Sequence, residues 1–152
     1  MEILTSFVLP CCWAFLACLG FGVVFNVQGA GILICGLGGA LSWLVYLLVI
    51  AAGGGDIMAA FFAAAFVGVY AESMARIRHC PVTGYIQVAL LPLVPGAGVY
   101  YATRYCVNGE TELFLSTLLH TFGVAAAISV GAMLASSVFR SLWPYVQRGR
   151  GN

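Results

Sequence analysis

The stretch LPLVPGAG, residues 91–98, places two prolines and two glycines in the middle of an apolar run that extends from about residue 84 to residue 103. A run of about 20 apolar residues is long enough to cross a membrane as a helix. Each proline removes a backbone donor and clashes with the preceding turn, so we expect the helix to break or kink there. Backbone groups freed at membrane depth are tolerated only where protein buries them or water solvates them. The stretch therefore indicates a transport protein with a broken spanning helix, and the alternative is a kinked helix with a purely structural role.

The composition excludes an ordinary soluble protein. The chain has 152 residues, of which 62% are hydrophobic and 7% are charged, whereas soluble domains carry about 25% charged residues. The net charge is +1 and all six basic residues are arginine, which gives no indication of nucleic-acid binding. We predict an all-α polytopic membrane protein that forms a single transmembrane domain over residues 1–152.

About five membrane spans of roughly 20 residues each account for most of this length. Polar or glycine-rich turns divide the apolar sequence, for example at residues 26–29 and 51–56. The predicted spans are residues 3–25, 30–50, 57–75, 84–103 and 113–139, and the fourth is broken between Pro92 and Gly98. We expect a basic loop at residues 76–81 and a polar loop at residues 104–112.

The arginines predict the orientation of the chain. Five spans place the two termini on opposite sides of the membrane. With the N-terminus outside, the arginines on the cytoplasmic side are Arg76, Arg78, Arg140, Arg148 and Arg150. Only Arg104 then remains outside, which is the asymmetry that the positive-inside rule requires. We therefore expect a multi-pass protein of the cytoplasmic (inner) membrane with its C-terminus in the cytoplasm.

The break lies near the middle of the membrane if the fourth span starts at the cytoplasmic side. At a rise of about 1.5 Å per residue, residues 92–98 are ~12–20 Å from that side of a ~30 Å hydrocarbon core. The chain after the break begins a half-helix, whose free N–H groups and dipole favour a carboxylate. We therefore expect an anionic or zwitterionic organic substrate. The residues expected to line its path are Pro92, Pro95, Gly96, Ala97, Gly98, Tyr100 and Tyr101.

The two tyrosines of this set have an alternative interpretation, because Tyr100 and Tyr101 are equally consistent with anchoring at the membrane interface. His120 lies about eight residues into the fifth span, or ~12 Å deep, so we expect it level with the break. An imidazole titrates near neutral pH, which suits a proton relay, and the alternative is a hydrogen bond that packs two helices together. Ser116 and Thr117 lie close by and are interpreted as supporting polar residues.

Glu72 lies near the cytoplasmic end of the third span, where an acid is costly unless it is paired or hydrated. It forms either an ion pair with Arg76, one turn later, or part of a cytoplasmic gate. Asp56 is interpreted as a solvated cap of the third helix. Asn26 and Gln87 are further polar groups, and Gln87 is more typical of a helix–helix hydrogen bond than of a substrate ligand.

The sequence gives no indication of a metal site, a cofactor or an enzyme. The six cysteines have no CxxC or Cys/His spacing, so we interpret them as small apolar residues. Ser116 and His120 are four residues apart on one helix, which is poor geometry for a catalytic pair, and no nucleophile motif is present.

Several of these segments, in their order and spacing, resemble the threonine/serine exporter (ThrE) family. The strongest is PLVPGAGVYY at residues 92–101; residues 25–27, 35–40 and 71–81 add to it. The similarity is to the small, YjjB-like subunit over nearly the whole chain. Members of the family often carry a Pro-Gly pair shortly before Pro92, where this chain has Val88 and Ala89, and this departure does not support a second break upstream.

The resemblance implies export of small carboxylate-bearing metabolites, either threonine and serine or a succinate-like dicarboxylate, coupled to the proton motive force. It also implies a larger, YjjP-like membrane subunit as partner, because the small half of the family acts with a larger half. The alternative is a non-transporting membrane scaffold or assembly subunit, whose glycine-rich faces serve packing alone.

Overall fold

The computed structural model describes the backbone of residues 4–148 and the side chains of residues 5–143. A short π-helical segment, Leu4–Val8, leads into the first of six α-helices within residues 4–148. The helices are α1 (Leu9–Val24), α2 (Gly31–Ala51), α3 (Asp56–Arg78), α4 (Val82–Leu90), α5 (Gly96–Asn108) and α6 (Thr111–Arg148). Of the arginines assigned to the cytoplasmic side, Arg150 and the side chain of Arg148 lie outside this description.

Four helical stretches in the described chain are long and apolar enough to cross a membrane: Thr5–Val24, Gly31–Ala51, Asp56–Arg78 and Thr111–Trp143. A fifth crossing is possible through the bent pair Val82–Leu93 and Gly96–Asn108, whose axes differ by 54°. Helices satisfy every interior backbone hydrogen bond within the segment, which is why apolar sequence of this length becomes helical in a membrane. The predicted all-α polytopic fold with a broken fourth span is confirmed.

The centre of the bundle is α3, which packs against α2, α4 and α6. Small side chains make this contact close, because they let the backbones of neighbouring helices approach one another. The residues of α3 that are buried are Ala59, Ala60, Ala63, Ala64, Val67, Gly68, Ala71, Glu72 and Ala75. The most extensive contact is with α6. These two helices run side by side in the same direction, since Ile57 lies beside Gly123 and Gly68 lies beside Ala135.

The helices extend further than the sequence predicts at both polar connections. Arg76 and Arg78 belong to the last turn of α3, and the left-handed residue His79 ends it. Basic side chains in the last turn of a helix interact favourably with its dipole, so this turn continues where a loop was expected. The polar loop predicted at residues 104–112 is likewise mostly helical, since α5 continues to Asn108 and Gly109 ends it at φ +78°.

Candidate functional site

The fourth crossing segment is interrupted between α4 and α5. A single 3-10 turn, Leu91–Leu93, follows α4, and Val94 is extended before α5 begins at Gly96. The residue before a proline is forced out of the helical conformation, which explains why Val94, the neighbour of Pro95, is extended. The two prolines therefore set both the position of the break and the 54° change of direction.

Side chains from other helices add hydrogen bonds to the carbonyl groups near the break, although the N–H of Leu91 already donates to the carbonyl of Val88. In a regular helix the carbonyl of Val88 would bond to the N–H of residue 92, but Pro92 has none. The thiol of Cys18 lies 3.3 Å from this carbonyl oxygen and donates to it. The hydroxyl of Ser42 lies 3.3 Å from the next carbonyl oxygen, that of Ala89. Helix α4 is continuous through Val88 and Ala89, so the chain has no second break there.

The start of α5 is open on one side and packed on the other. A Cβ atom on Gly96 would have no heavy atom within 4 Å, whereas one on Gly98 would collide with the side chain of Thr121 on α6. The first N–H groups of any α-helix have no acceptor within the helix. The N–H of Gly96 bonds to the carbonyl of Val94, and the next amides, those of Ala97 and Gly98, start the helix beside α6.

A polar cluster adjoins this packed side. His120 precedes Thr121, and its Nε2 atom lies 3.6 Å from Oδ2 of Asp56, the first residue of α3. The hydroxyl of Tyr46 on α2 donates to Oδ1 of the same carboxylate at 3.1 Å. His120 and Asp56 are 54% and 51% exposed, so the helix bundle does not enclose either side chain. The cluster therefore joins α2, α3 and α6 next to the residue that packs on Gly98.

Asp56 and Tyr46 were not assigned to the site from the sequence. No side-chain hydrogen bond caps α3, and Gly55 rather than Asp56 is its N-cap, so the expected cap is replaced by contacts to other helices. Tyr46 stacks on Trp43 with ring centroids 5.2 Å apart, a contact typical of interface aromatics. The sequence offered two signals for this contact. One was a single acid at the start of α3, and the other was a tyrosine near the C-terminal end of α2.

The other residues predicted along the path are distributed around the break. Pro92 packs beside Trp43 and borders an apolar cavity of about 410 Å³. Tyr100 and Tyr101 contact each other edge to face and are 63% and 45% exposed. Thr117 accepts a hydrogen bond from Thr121 through its carbonyl oxygen, at 2.7 Å.

Three of the predicted polar residues lie apart from the break or bond locally. Asn26 occupies the turn between α1 and α2 at φ +55° and borders a cavity of about 360 Å³ with Cys80 and Pro81. Gln87 is on an exposed face of α4. Ser116 donates to the carbonyl of Leu113 in its own helix.

Glu72 has more partners than the sequence indicated. Its side chain is 5% exposed, and Oε2 lies 3.5 Å from Arg76, the partner expected from the spacing. The Nε of Arg140 on α6 donates to Oε1. Arg76 is also held against two aromatic rings, with its guanidinium carbon 5.4 Å from the ring centre of Phe139 and 4.8 Å from that of Trp143. Arg140 was missed in this role, because one sequence does not reveal how α3 and α6 are rotated towards each other.

Comparison with known proteins identifies the family of the chain. No solved structure matches the chain. The family model described as "Threonine/Serine exporter, ThrE" matches residues 10–138, which include all the segments on which the resemblance was based. The match covers most of the chain and is to a family of transporters. We conclude that this multi-pass membrane protein belongs to the threonine/serine exporter family and has an exporter-type transport role.

Proposed function

We propose that the chain is the small subunit of a two-component exporter that moves small carboxylate-bearing metabolites out of the cell. The substrates are threonine, serine or a succinate-like dicarboxylate, and the chain acts together with a larger, YjjP-like membrane subunit. The single observation that carries this proposal is the break between α4 and α5, with a half-helix starting beside a polar cluster.

The half-helix accounts for recognition of a carboxylate. Its N-terminal end carries partial positive charge and N–H groups without helical acceptors. Broken helices whose N-terminal ends point at an anionic group are a recurring feature of transporter binding sites. Gly96 leaves open space at this end, so a substrate can approach the backbone. Pro92, Pro95, Ala97 and Gly98 keep their proposed places along the path, with Tyr100 and Tyr101 beyond them.

His120 is proposed as the proton relay. It contacts Asp56 across two helices and lies next to the residue that packs on the half-helix. An imidazole exchanges protons near neutral pH, and a half-exposed carboxylate beside it provides a second acceptor. Uptake of a proton by this pair from outside the cell, and its release to the cytoplasm, would couple export to the proton motive force.

The exposed surface of α5 supports the need for a partner. Helix α5 packs mainly against α6, and its other faces expose Val99, Tyr100 and Val107. The larger subunit would cover this surface and complete the substrate path. Tyrosine is among the residues enriched in protein interfaces.

Reconstitution tests the proposal directly. The chain is placed in proteoliposomes alone and with the larger subunit, and efflux of labelled threonine, serine and succinate is measured. We expect export only with both subunits, and a protonophore should abolish the part that depends on the proton gradient. Export by the lone chain would contradict the two-component proposal, and export by neither preparation would contradict the transport proposal.

A pair of glycine substitutions distinguishes a blocked substrate path from a misfolded protein. Neither Gly96 nor Gly20 has a heavy atom within 4 Å of an added Cβ, so both tolerate a larger side chain. Gly96→Leu places bulk at the start of α5 and should lower export at least about tenfold, while Gly20→Leu on α1 should not. Equal export by the two variants would contradict a substrate path at the break.

The scaffold alternative is supported by the same exposed surface of α5, which a purely structural subunit would also need. In that case His120→Asn and Gly96→Leu would impair assembly with the larger subunit and export together. Loss of export with normal co-purification of the two subunits supports the exporter proposal instead.

The proposed orientation has the N-terminus outside and the C-terminus in the cytoplasm of the inner membrane. Cys80 and Cys106 are exposed near opposite ends of the α4–α5 segment and act as native reporters. A membrane-impermeant maleimide added to intact cells should modify Cys106 and spare Cys80, and inverted vesicles should reverse this pattern. Labelling of Cys80 in intact cells would overturn the orientation.

A further inference from the structure

A groove separates α4 from α6 on the side of the break that faces Glu72. The two segments meet where Leu93 packs with Val124 and Ile128. Beyond that point α4 packs against α2 and α3 rather than against α6, and a cavity of about 520 Å³ remains. Its lining residues are Ile86, Ala132, Met133, Ser136, Ser137, Arg140 and Ser141.

The groove contains an arginine with unused donors. The Nε of Arg140 donates to Glu72, but a guanidinium has five N–H donors, and the side chain is 59% exposed. The second arginine of the cluster, Arg76, is already bonded to Glu72 and lies over Phe139 and Trp143. One carboxylate therefore faces two guanidinium groups, so the cluster has one positive charge in excess, and the more exposed guanidinium is that of Arg140.

Serine residues surround Arg140 on the α6 wall of the groove. Ser137 and Ser141 are exposed. The hydroxyl of Ser136 is instead buried, lies towards Gly68 of α3 and has no hydrogen-bond partner among the described residues, so it belongs to the α3–α6 contact. Ser137 and Ser141 line the same groove, and the hydroxyl of Ser141 donates to the carbonyl of Ser137 at 3.0 Å.

We propose that this groove is the cytoplasmic loading site, where Arg140 and the exposed hydroxyl of Ser137 bind the carboxylate of the substrate before it reaches the break. This inference rests on the proposed function and its orientation. Ile86, Ala132 and Met133 provide apolar walls for the carbon skeleton. A cavity of this size is typical of small-molecule sites, which combine apolar walls with a few placed polar groups.

Leu93 lies between the groove and the start of α5, so it separates the two proposed binding positions. It is 5% exposed and lies in the buried cluster between the groove and the segment of α6 that carries His120. The substrate is therefore bound at Arg140 on one side of Leu93 and at the start of α5 on the other. Passage between the two sites requires Leu93 to move away from Val124 and Ile128.

The main test separates binding by Arg140 from its contact with Glu72. The two subunits are reconstituted together and the KM for export of threonine, serine and succinate is measured. Arg140→Gln should raise the KM about tenfold or more, the scale expected for a lost charge-assisted hydrogen bond. Arg78→Gln, in the last turn of α3 and outside the groove, is the matched control and should leave the KM unchanged.

A double variant distinguishes a binding residue from a merely structural one. Arg140→Gln alone leaves Glu72 paired with Arg76, whereas Glu72→Gln with Arg140→Gln also removes the carboxylate, so the double variant shows whether the KM depends on Arg140 itself or on its contact with Glu72. The KM should remain raised in the double variant if Arg140 binds substrate. A return of the KM to the wild-type value would overturn the proposal, because Arg140 would then serve only to neutralise Glu72.

A second measurement reports binding without transport. In the full chain in nanodiscs, the labelling rate of Met133→Cys by a maleimide is followed by peptide-resolved mass spectrometry. L-Threonine and succinate should slow labelling, L-threoninamide, which lacks the carboxylate, should not, and adding Arg140→Gln should abolish the protection. Protection that persists without Arg140, or no protection by either carboxylate, would overturn the loading site.

The two proposals fail in different ways. A wild-type complex that exports none of the three compounds overturns the proposed function. Normal export with an unchanged KM in Arg140→Gln overturns the loading site and leaves the proposed function intact.

Discussion

The two ends of α3 are both joined to α6 by a carboxylate and a basic side chain, yet their surroundings differ. Glu72 is 5% exposed and lies between Arg76 and Arg140. Asp56, at the other end of the helix, is 51% exposed and contacts His120. The first cluster places a buried carboxylate between two guanidinium groups, whereas the second pairs an imidazole with a carboxylate, and both of those side chains are half exposed.

This difference indicates which end of the α3–α6 pair can change its partners during transport. Removing one partner of a buried ion pair leaves an uncompensated charge, so the Glu72 cluster holds the two helices in register. An exposed pair contributes little to stability and exchanges with water at small cost. The break adjoins the exposed pair, through Thr121 and Gly98. We therefore expect stability to depend on one end and transport to depend on the other.

The strongest test of this contrast is Glu72→Ala. The substitution leaves two guanidinium groups near each other without their carboxylate, and breaking a buried pair typically costs about 3–5 kcal/mol. Thermal unfolding of the purified chain in detergent should show a large loss of stability or no folded protein. The matched variant Asp56→Ala should cost about 1 kcal/mol or less. Equal losses at the two ends would contradict the comparison.

Gly131→Ala tests the α3–α6 packing that lies between the two clusters. An added Cβ would lie 2.5 Å from the backbone carbonyl oxygen of Phe61, which cannot move without displacing α3. Overpacking of this kind costs about 1–3 kcal/mol. The control is Gly20→Ala, where no heavy atom lies within 4 Å of the new Cβ. A Gly131→Ala variant as stable as this control would mean that α3 and α6 pack less closely than described.

His120→Asn separates stability from transport at the exposed end. The contact with Asp56 is half exposed, so we expect a change in unfolding free energy of about 1 kcal/mol or less. Under the proposed function, export driven by a proton gradient should nevertheless fall at least about tenfold. Unfolding curves and gradient-driven efflux are compared on the same preparation. A large loss of stability would show that His120 is mainly a packing residue.

The smallest expected effect is that of Tyr46→Phe. This change removes the hydroxyl that donates to Asp56 and keeps the ring that stacks on Trp43. A single hydrogen bond contributes about 0.5–1.5 kcal/mol, and this exposed one should lie at the low end of that range. A midpoint shift comparable with that of Glu72→Ala would show that the outer cluster is as important for the fold as the buried one.

The broken span could be predicted because its causes are local. Proline lacks an N–H and constrains the residue before it, whatever surrounds the chain, so residues 91–98 locate the break without tertiary information. The ends of α3 and α5 could not be placed correctly in the same way. Polar sequence at residues 76–81 resembles a loop, but Arg76 packs over Phe139 and Trp143, and this contact extends the helix by a turn.

The candidate site was only partly predictable. His120 and Glu72 stood out as ionisable residues in apolar sequence, which are conspicuous because a membrane makes them costly. Their partners Asp56 and Arg140 are separated from them by 64 and 68 positions. Arg140 shares one end of α6 with Ser136, Ser137 and Ser141, a polar stripe that was visible in the sequence and was not interpreted as a site.

The sequence by itself determined the membrane class, the approximate number of crossing segments, the position of the break and the family. Each of these follows from hydropathy, from proline geometry or from an ordered set of local motifs. The tertiary structure decided which acid meets which base, that α5 packs mainly on α6, and that a groove separates α4 from α6. Those features depend on how each helix is rotated about its axis. In a chain that is 62% hydrophobic, small residues allow several rotations, and only the packed assembly selects one.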